Sequence, residues 1–216
     1  MTREEDVLKR MCDVAFALLV ADSSGIALSR IQLQKFIYLV DSLRPLYLLL
    51  PQKAGYVTYK RGPYDQAVQN AVDVLAFRGF VQIVELKVFS DKRTASTYAL
   101  SSVGRGWTTK IAEDPAFARE WAVAAAIGKR LTLERWQNIV QLVYSEPAYL
   151  SARAFGFGRP LDSTNGLAPS TTFLMATMQE ALSAGFSGSV ITEDLLVDLF
   201  FDFLEVFARG SGIQRE

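Results

Sequence analysis

Residues 56–83 read YVTYKRGPYDQAVQNAVDVLAFRGFVQI, and this stretch decides the fold class that the sequence predicts. Gly62 permits a tight backbone turn, and Pro63 fixes a φ angle from which a helix can begin. Small and apolar residues then recur at the spacing of an amphipathic helix, at Ala67, Val68, Ala71, Val72 and Leu75. Gly79 is placed to end that helix before a strand. This order is typical of a winged helix presenting a recognition helix.

Two more helices are predicted ahead of this stretch. Thr2 begins the first in a capping box, and apolar residues then continue at helical spacing. Ser29 can cap the second, which carries one apolar face as far as Leu43. Pro45 stops that helix. The apolar run 46–50 that follows is predicted to be buried.

A β-hairpin is predicted after the third helix, with strands at 80–89 and 94–100 joined by a turn at 90–93. Helix, helix, turn, helix, hairpin is the order of a winged helix-turn-helix. We therefore expect a mainly α (α+β) protein: a winged-helix domain with a β-hairpin wing at 1–110, then a helical C-terminal domain at 111–216.

The C-terminal region is predicted to be helical, with helices beginning near Pro115, Thr132, Pro169 and Thr192. Residues 151–168 are rich in glycine, serine and small polar residues, so they are predicted to form a long loop. Loops of that length are often functional or mobile.

A weak internal repeat links the two halves. LQKFIYLV at 33–40 and LERWQNIV at 133–140 agree in residue type at most positions, and both run into Pro-x-Tyr-Leu, at 45–48 and 147–150. A duplicated unit would make the C-terminal region a second, degenerate winged helix. Chance similarity between two amphipathic helices explains the match equally well.

The composition removes most catalytic chemistry. The 216 residues include no histidine, which excludes Ser-His triads and most zinc and iron sites, and one cysteine, Cys12, in an apolar helical pattern. No phosphate-binding loop or dinucleotide fingerprint is present. Asp194, Asp198 and Asp202 share one helical face, which is more typical of a solvated face than of a cation site. We expect no enzyme activity, no catalytic residues, no metal and no cofactor.

The location expected from the sequence is the cytoplasm. The N-terminus MTREEDVLKR lacks the apolar core of a signal peptide, and no apolar run is long enough to cross a bilayer. No membrane partner is expected.

Charge favours a protein partner over DNA. Lys+Arg and Asp+Glu are equal at 23 each, whereas proteins that bind phosphate backbones usually carry a basic excess. Asp65 and Asp73 lie among the predicted outward positions of the third helix, where phosphates would repel them. The candidate nucleic-acid contacts are Lys60, Arg61, Gln66, Gln69, Asn70, Lys92 and Arg93. The candidate partner-binding residues are Tyr59, Arg61, Tyr64, Phe200, Phe203 and Phe207; the broad apolar face of the last helix also fits burial in the chain's own core.

Residues 33–81 resemble a known prokaryotic pattern: an "LQKLLYL" helix, a "Y-x-x-Y-x-x-G-P" turn and an "L-x-x-x-G-(F/I)" helix end. This pattern occurs in SocA-like (Panacea) antitoxin domains and in the small middle subunits of ABC three-component and Lamassu-type antiphage systems. VYSEPAYLSARAF at 143–155 is similar to a "Y-x-x-P-x-Y-x-x-x-S" ending of such proteins. The matching residues in the first segment are Leu33, Gln34, Lys35, Tyr38, Tyr56, Tyr59, Lys60, Gly62, Pro63, Leu75, Gly79 and Phe80.

The resemblance implies a role in an assembly. It implies a non-enzymatic interaction subunit of an antiphage defence complex, which bridges an SMC/ABC-type ATPase and an effector. Antitoxin domains of this kind are usually shorter than this chain, and the added helical third favours the subunit. The alternatives are an antitoxin with a toxin as its partner, and a winged-helix transcription regulator that binds DNA.

Overall fold

The computed structural model describes residues 3–49, 55–90, 94–161, 170–185 and 191–210. These residues form a mainly helical protein with a small three-stranded antiparallel sheet. Thr2 of the predicted capping box, Lys92 and Arg93 of the hairpin turn, and the part of the predicted loop after residue 161 lie outside these residues.

The N-terminal half consists of three helices and the sheet. Its elements are α1 (Arg3–Ser23), β1 (Leu28–Ser29), α2 (Arg30–Leu43), a 3-10 turn (Arg44–Tyr47), α3 (Gln66–Phe77), β2 (Val81–Val88) and β3 (Thr94–Leu100).

The C-terminal half is helical. Its elements are α4 (Ser102–Glu113), a 3-10 turn (Pro115–Phe117), α5 (Ala118–Arg130), α6 (Leu133–Tyr144), α7 (Pro147–Arg153), α8 (Ser170–Gly185) and α9 (Glu193–Gly210). No helix in the described part of the chain combines the length and the apolar character needed to cross a membrane.

Side-chain caps fix where the helices begin. Ser29 caps α2 in a capping box, because its hydroxyl accepts from the Gln32 amide and its own amide donates to the Gln32 side chain over 2.9 Å. Asp65 caps α3 by accepting from the amide of Ala67 over 2.8 Å, so α3 begins at Gln66. The sequence predicted the first of these caps and missed the second.

The sheet has the strand order β1-β3-β2, with both pairs antiparallel. β2 pairs with β3 over its whole length, and the register shifts between Ile83 and Glu85. Only the base of this hairpin lies in the core: Val81, Tyr98 and Leu100 are buried, whereas the rest of β2 is exposed. The predicted hairpin is therefore confirmed, and most of it projects away from the core.

One hydrophobic core joins both halves of the chain. Phe36 on α2 stacks on Trp136 on α6 at 5.4 Å between ring centroids, and Phe16 on α1 meets Trp121 on α5 edge to face. Residues on both sides of the boundary predicted at residue 110 therefore contribute to this core. No strand follows Leu100 in the described residues, so a second winged helix has no visible wing there.

Three sequence predictions fail on burial or boundaries. Leu48 was expected to be buried, but it is 78% exposed with φ at 57°, because the chain turns outward after the 3-10 turn. Phe200 was expected to contact a partner, but it is fully buried in the core. Residues 151–153 were placed in a loop, but they complete α7, which Glu146 caps.

Candidate functional site

Polar side chains of α2 hold the turn at residues 56–65 from beneath. The side-chain Nε2 of Gln34 donates to the backbone carbonyl of Asp65 over 2.9 Å, and its Oε1 accepts from the backbone amide of Asp65 over 3.0 Å. Lys35 Nζ donates to the carbonyl of Pro63 over 2.6 Å. These side chains are buried, so they position the turn rather than meet solvent. Polar groups at such positions persist in a core because each is hydrogen-bonded.

Gly62 lets the turn lie directly on Lys35. Its φ is +89°, and a Cβ there would lie 2.7 Å from Lys35 Cε and 2.9 Å from Tyr144 Cε1. Glycine is thus required both by the backbone conformation and by the space. Burial lowers the pKa of Lys35 to about 7. The ammonium group of Lys35 is therefore held in a site that disfavours its charge.

A buried ionic cluster anchors the same turn to α1. Arg10 bonds Asp41 over 2.7 Å and Asp65 over 3.1 Å, with side-chain exposures of 9% or less. The Tyr56 hydroxyl donates to Asp41 over 2.9 Å, and the Arg10 guanidinium lies over the Tyr56 ring. Asp65 was predicted to face outward; it is buried, because it caps α3 and pairs with Arg10.

Arg44 and Asp13 complete the cluster. Arg44 bonds Asp41 over 2.9 Å and also pairs with Asp13. Burial raises the pKa of Asp13 to about 7, and the guanidinium groups of Arg44 and Arg10 oppose this shift. Every carboxylate in the cluster has an arginine partner, as buried charges require. The cluster thus joins α1, α2 and the start of α3 by specific geometry.

Glu146 joins α2 to the C-terminal half. Its buried carboxylate accepts from the Tyr38 hydroxyl, from the Thr171 hydroxyl and from the amides of Ala148 and Tyr149, at 3.1 and 2.7 Å for the two amides. Burial raises the pKa of Glu146, and the hydrogen bonds from Tyr38, Tyr149 and Ala148 oppose the shift. The carboxylate therefore ties the start of α7 to α2.

Thr58 fastens a second segment, residues 155–161, alongside the turn. Its amide donates to Arg159 O over 2.8 Å, and its carbonyl accepts from the Gly158 amide over 2.7 Å. Its hydroxyl donates to Gly156 O over 2.8 Å and accepts from the Arg159 amide over 2.9 Å. All three polar groups of this fully buried threonine are used. The two segments therefore form one structural unit.

Exposed aromatic and basic side chains project from this unit. Tyr59 is 55% exposed, Phe155 77% and Phe157 56%, although rings of this size are usually well buried. Together with their neighbours they form what we call the aromatic–basic surface, which consists of Tyr59, Lys60, Arg61, Tyr64, Arg153, Phe155, Phe157 and Arg159.

Positive charge is concentrated on this surface. The segments 55–64 and 151–161 contain no aspartate or glutamate, whereas the whole chain has equal numbers of acidic and basic residues. Arg153 lies 5.6 Å from the centroid of the Tyr144 ring. Burial raises the pKa of the Tyr144 hydroxyl, and the charges of Arg153 and Arg61 oppose that shift. Both guanidinium groups are thus close enough to act on one hydroxyl.

Tyr64 extends the surface toward α3. Its hydroxyl accepts from Arg30 and donates to Gln66 Oε1, each over 2.8 Å. Its ring lies 6.1 Å from that of Tyr59. The structure therefore brings together the predicted residues Tyr59, Tyr64 and Gln66 and adds Arg30 to them.

Gln69 and Asn70, the other residues of α3 that were predicted to contact nucleic acid, follow on the exposed face of the helix. Gln66 donates to Asn70 over 3.0 Å, and Gln69 donates to Asp73 over 2.8 Å. These amides already have partners along the helix. Asp73 is exposed among them, so this face combines amide groups with a negative charge.

The predicted residues on α9 lie elsewhere. α9 packs against α5, α6 and α8. Phe203 is half-buried, and Phe207, 42% exposed, stacks on it at 5.7 Å between ring centroids. The partner-binding residues predicted from sequence thus divide between two places, with Phe200 excluded by burial.

The acidic row of α9 faces basic residues of the chain itself. Asp194 bonds Lys129 over 3.0 Å, and Asp198 pairs with Arg130. The predicted solvated face therefore contributes to the docking of α9 on the neighbouring helix.

Sequence reasoning missed Arg153, Phe155, Phe157 and Arg159 as members of a site. The available signal was a long glycine-rich segment that contains arginine and phenylalanine but no acidic residue up to 161. Its pairing with Thr58 has no local signature, because the partners are about a hundred residues apart in sequence.

Comparisons with known proteins found no family model and no curated protein that matches this chain. The resemblance of residues 33–81 to SocA-like domains and small antiphage subunits therefore stays an expectation from the residues quoted for it. The functional assignment rests on the geometry of the aromatic–basic surface.

Proposed function

We propose that this chain is a non-enzymatic interaction subunit that binds an acidic surface of a protein partner through its aromatic–basic surface. The observation that carries this proposal is that exposed tyrosine, phenylalanine and arginine side chains stand on backbone fixed by Thr58, Lys35 and Gln34. Tyrosine and arginine are the residue types that dominate binding energy at protein interfaces.

Rigidity beneath the surface supports the same function. A preformed loop loses little conformational entropy when it binds, so more of the contact energy appears as affinity. Complementary charge on the partner would also speed association. An acidic partner surface rich in apolar side chains is thus the best match for this combination of rings and cations.

We assign the N-terminal half to the winged-helix fold. The chain order α1, β1, α2, α3, β2, β3 and the strand order β1-β3-β2 support this assignment. In that fold α3 is the recognition helix and the β2–β3 hairpin is the wing.

The assembly that we propose is an antiphage complex in which the subunit bridges an SMC/ABC-type ATPase and an effector. Support comes from the placement of the residues that carry the resemblance. The side chains of Gln34 and Lys35 donate hydrogen bonds to the turn at residues 56–65, and Gly62 of that turn lies against Lys35. Those residues thus form the support of the aromatic–basic surface. An antitoxin that binds one toxin remains the alternative assembly.

The test is an affinity capture from the native host at low and moderate salt, read by mass spectrometry. The double variant Arg61→Glu/Arg153→Glu is compared with Arg119→Glu, which changes an exposed arginine on the first turn of α5. We expect a large ATPase with coiled-coil arms and an effector with the wild type and the control, and neither with the double variant. Recovery of a single toxin-like protein would favour the antitoxin. Equal recovery by all three proteins would overturn the role of this surface.

Nucleic acid is the second candidate ligand, because a surface of cations and exposed rings also suits phosphates and stacked bases. A regulator that binds DNA through α3 should show affinity that falls steeply with salt. Duplex and single-stranded oligonucleotides of mixed sequence, titrated by fluorescence anisotropy, separate the two functions. If the double variant lowers the salt slope by about two, each arginine has lost a phosphate contact. If neither oligonucleotide binds at low salt, the protein partner is the remaining candidate ligand of this surface.

A further inference from the structure

The outer edge of the β2–β3 hairpin is open for pairing. β2 pairs with β3 on one side, and no strand of the described residues pairs with its other side. An open edge offers a row of backbone donors and acceptors to any extended chain that fits it.

Apolar side chains accompany this open edge. Ile83, Val84, Leu86 and Val88 are each between 54% and 69% exposed, although β2 is only eight residues long. Contiguous exposed apolar side chains of this kind mark interaction sites on folded proteins. Residues from Gln82 onward lie beyond the core, so nothing in the described part of this chain covers them.

The sequence of β2 is complementary to itself. If two copies of β2 run antiparallel about Leu86, Glu85 of each copy lies opposite Lys87 of the other, and Val84 lies opposite Val88. Opposite residues of an antiparallel pair share a face, so the charged pairs meet on one face and Leu86 meets its own copy on the other. Within one chain Glu85 and Lys87 already lie 2.9 Å apart on the same face.

We propose that the partner of this edge is a second copy of the chain, which pairs β2 to β2 about Leu86 and continues the sheet across both copies. A two-fold axis through Leu86 makes the contact closed and symmetric. The proposal is independent of the aromatic–basic surface, because it uses the hairpin alone.

The charges of β2 favour this pairing. Lysine on an edge strand normally opposes pairing with another chain, as does a bulge. Here each lysine meets a glutamate of the second copy, so the four charges alternate in sign. The register shift between Ile83 and Glu85 leaves Val84 without a register partner in β3, so by symmetry an irregular residue lies at each end of the paired segment, and Glu85, Leu86 and Lys87 stay regular.

The test uses Glu85→Lys and Lys87→Glu, separately and mixed, with mass determined by analytical ultracentrifugation over a range of concentrations. Each variant alone places like charges opposite each other twice, so we expect its dissociation constant to rise about tenfold or more. In the mixture every lysine meets a glutamate, so we expect association to return to nearly the wild-type strength. The pair within one chain cannot produce this restoration, because neither variant retains it.

Two controls keep the outcome interpretable. Thermal unfolding of each variant at low concentration should match the wild type, because Glu85 and Lys87 are largely exposed. Leu86→Lys places two lysines at the two-fold axis and should also abolish association. A wild-type chain that stays monomeric at every accessible concentration would overturn the proposal. So would a mixture that associates no better than its components.

Discussion

The turn at residues 56–65 and the β2–β3 hairpin are both exposed, but the chain supports them in opposite ways. Buried polar side chains from α1 and α2 hold the turn, and Thr58 joins it to a second segment. Only the base of the hairpin enters the core, and its outer half has exposed apolar side chains. The turn is held in place by its own chain, so its surface suits an external ligand. The pairing of the open edge of β2 depends instead on a strand from outside the hairpin.

Loss of Arg10 should give the largest difference between the two regions. Arg10→Met leaves the buried carboxylates of Asp41 and Asp65 without this cation, which should cost about 3–5 kcal/mol of unfolding free energy. Lys87→Met in the hairpin removes an exposed ion pair and should change stability by no more than about 0.5 kcal/mol. Urea unfolding at a concentration where the chain is monomeric measures both. Equal effects would contradict the polar anchoring of the turn.

Gly62→Ala should be the next largest effect. The alanine meets both a strained φ and the Lys35 side chain, so we expect a loss of about 3 kcal/mol or more. Gly79→Ala, at the base of the hairpin, has φ at +75° but no atom within 4 Å of the added Cβ, so it should lose only about 1 kcal/mol. The difference between the urea midpoints of Gly62→Ala and Gly79→Ala measures the part of the stability loss that is due to the steric clash with Lys35. Equal midpoint shifts would show that Lys35 moves aside freely.

Thr58→Val should loosen the attachment of the segment 155–161 to the turn, with a moderate loss of unfolding free energy. The substitution keeps the shape and removes two hydrogen bonds to the segment 155–161, for a loss of about 2 kcal/mol. Hydrogen exchange should quicken at the amides of Gly158 and Leu161, which donate to the turn. Ser96→Ala on the hairpin removes one hydroxyl hydrogen bond and should leave those amides unchanged. Unchanged exchange in Thr58→Val would contradict the joined segments.

The smallest expected effect is a dependence of stability on pH. Burial lowers the pKa of Lys35 from 10.5 to about 7, so the unfolded chain binds more protons between these values. The contribution of Lys35 to the free energy of unfolding is therefore fully present above about pH 10.5 and is lost as pH falls through the folded-state pKa of about 7. Between about pH 7 and about pH 8, the free energy of unfolding should rise by at most about 1.4 kcal/mol. Lys35→Met should remove this rise, whereas Lys87→Met should keep it; a rise that persists in Lys35→Met would assign it to another group.

Local signals predicted the elements well. The cap at Ser29, the cap at Thr132 and the hairpin strands are confirmed, because each depends on residues close in sequence. Asp65 was read as exposed because its position on the helical pattern faces outward. Its burial results from Arg10, which comes from a different helix.

The site itself could be predicted only in part. Tyr59, Arg61 and Tyr64 were named because tyrosine, arginine and a Gly-Pro turn occur together in sequence. Phe155 and Arg159 join them through tertiary pairing, which no local pattern encodes. Phe200 was misassigned because an apolar helix face looks the same in sequence whether it meets the core or a partner.

The pairing of Thr58 with Arg159 also has a consequence for synthesis. These residues are 101 positions apart, so the aromatic–basic surface forms by a long-range contact. Such contacts are slow to close, because the intervening chain must first lose its freedom. A nascent chain that has not yet released residue 161 from the ribosome therefore has the turn without its companion segment. The complete surface can form only after residue 161 has left the ribosome, so any ligand of this surface must wait for that point of translation.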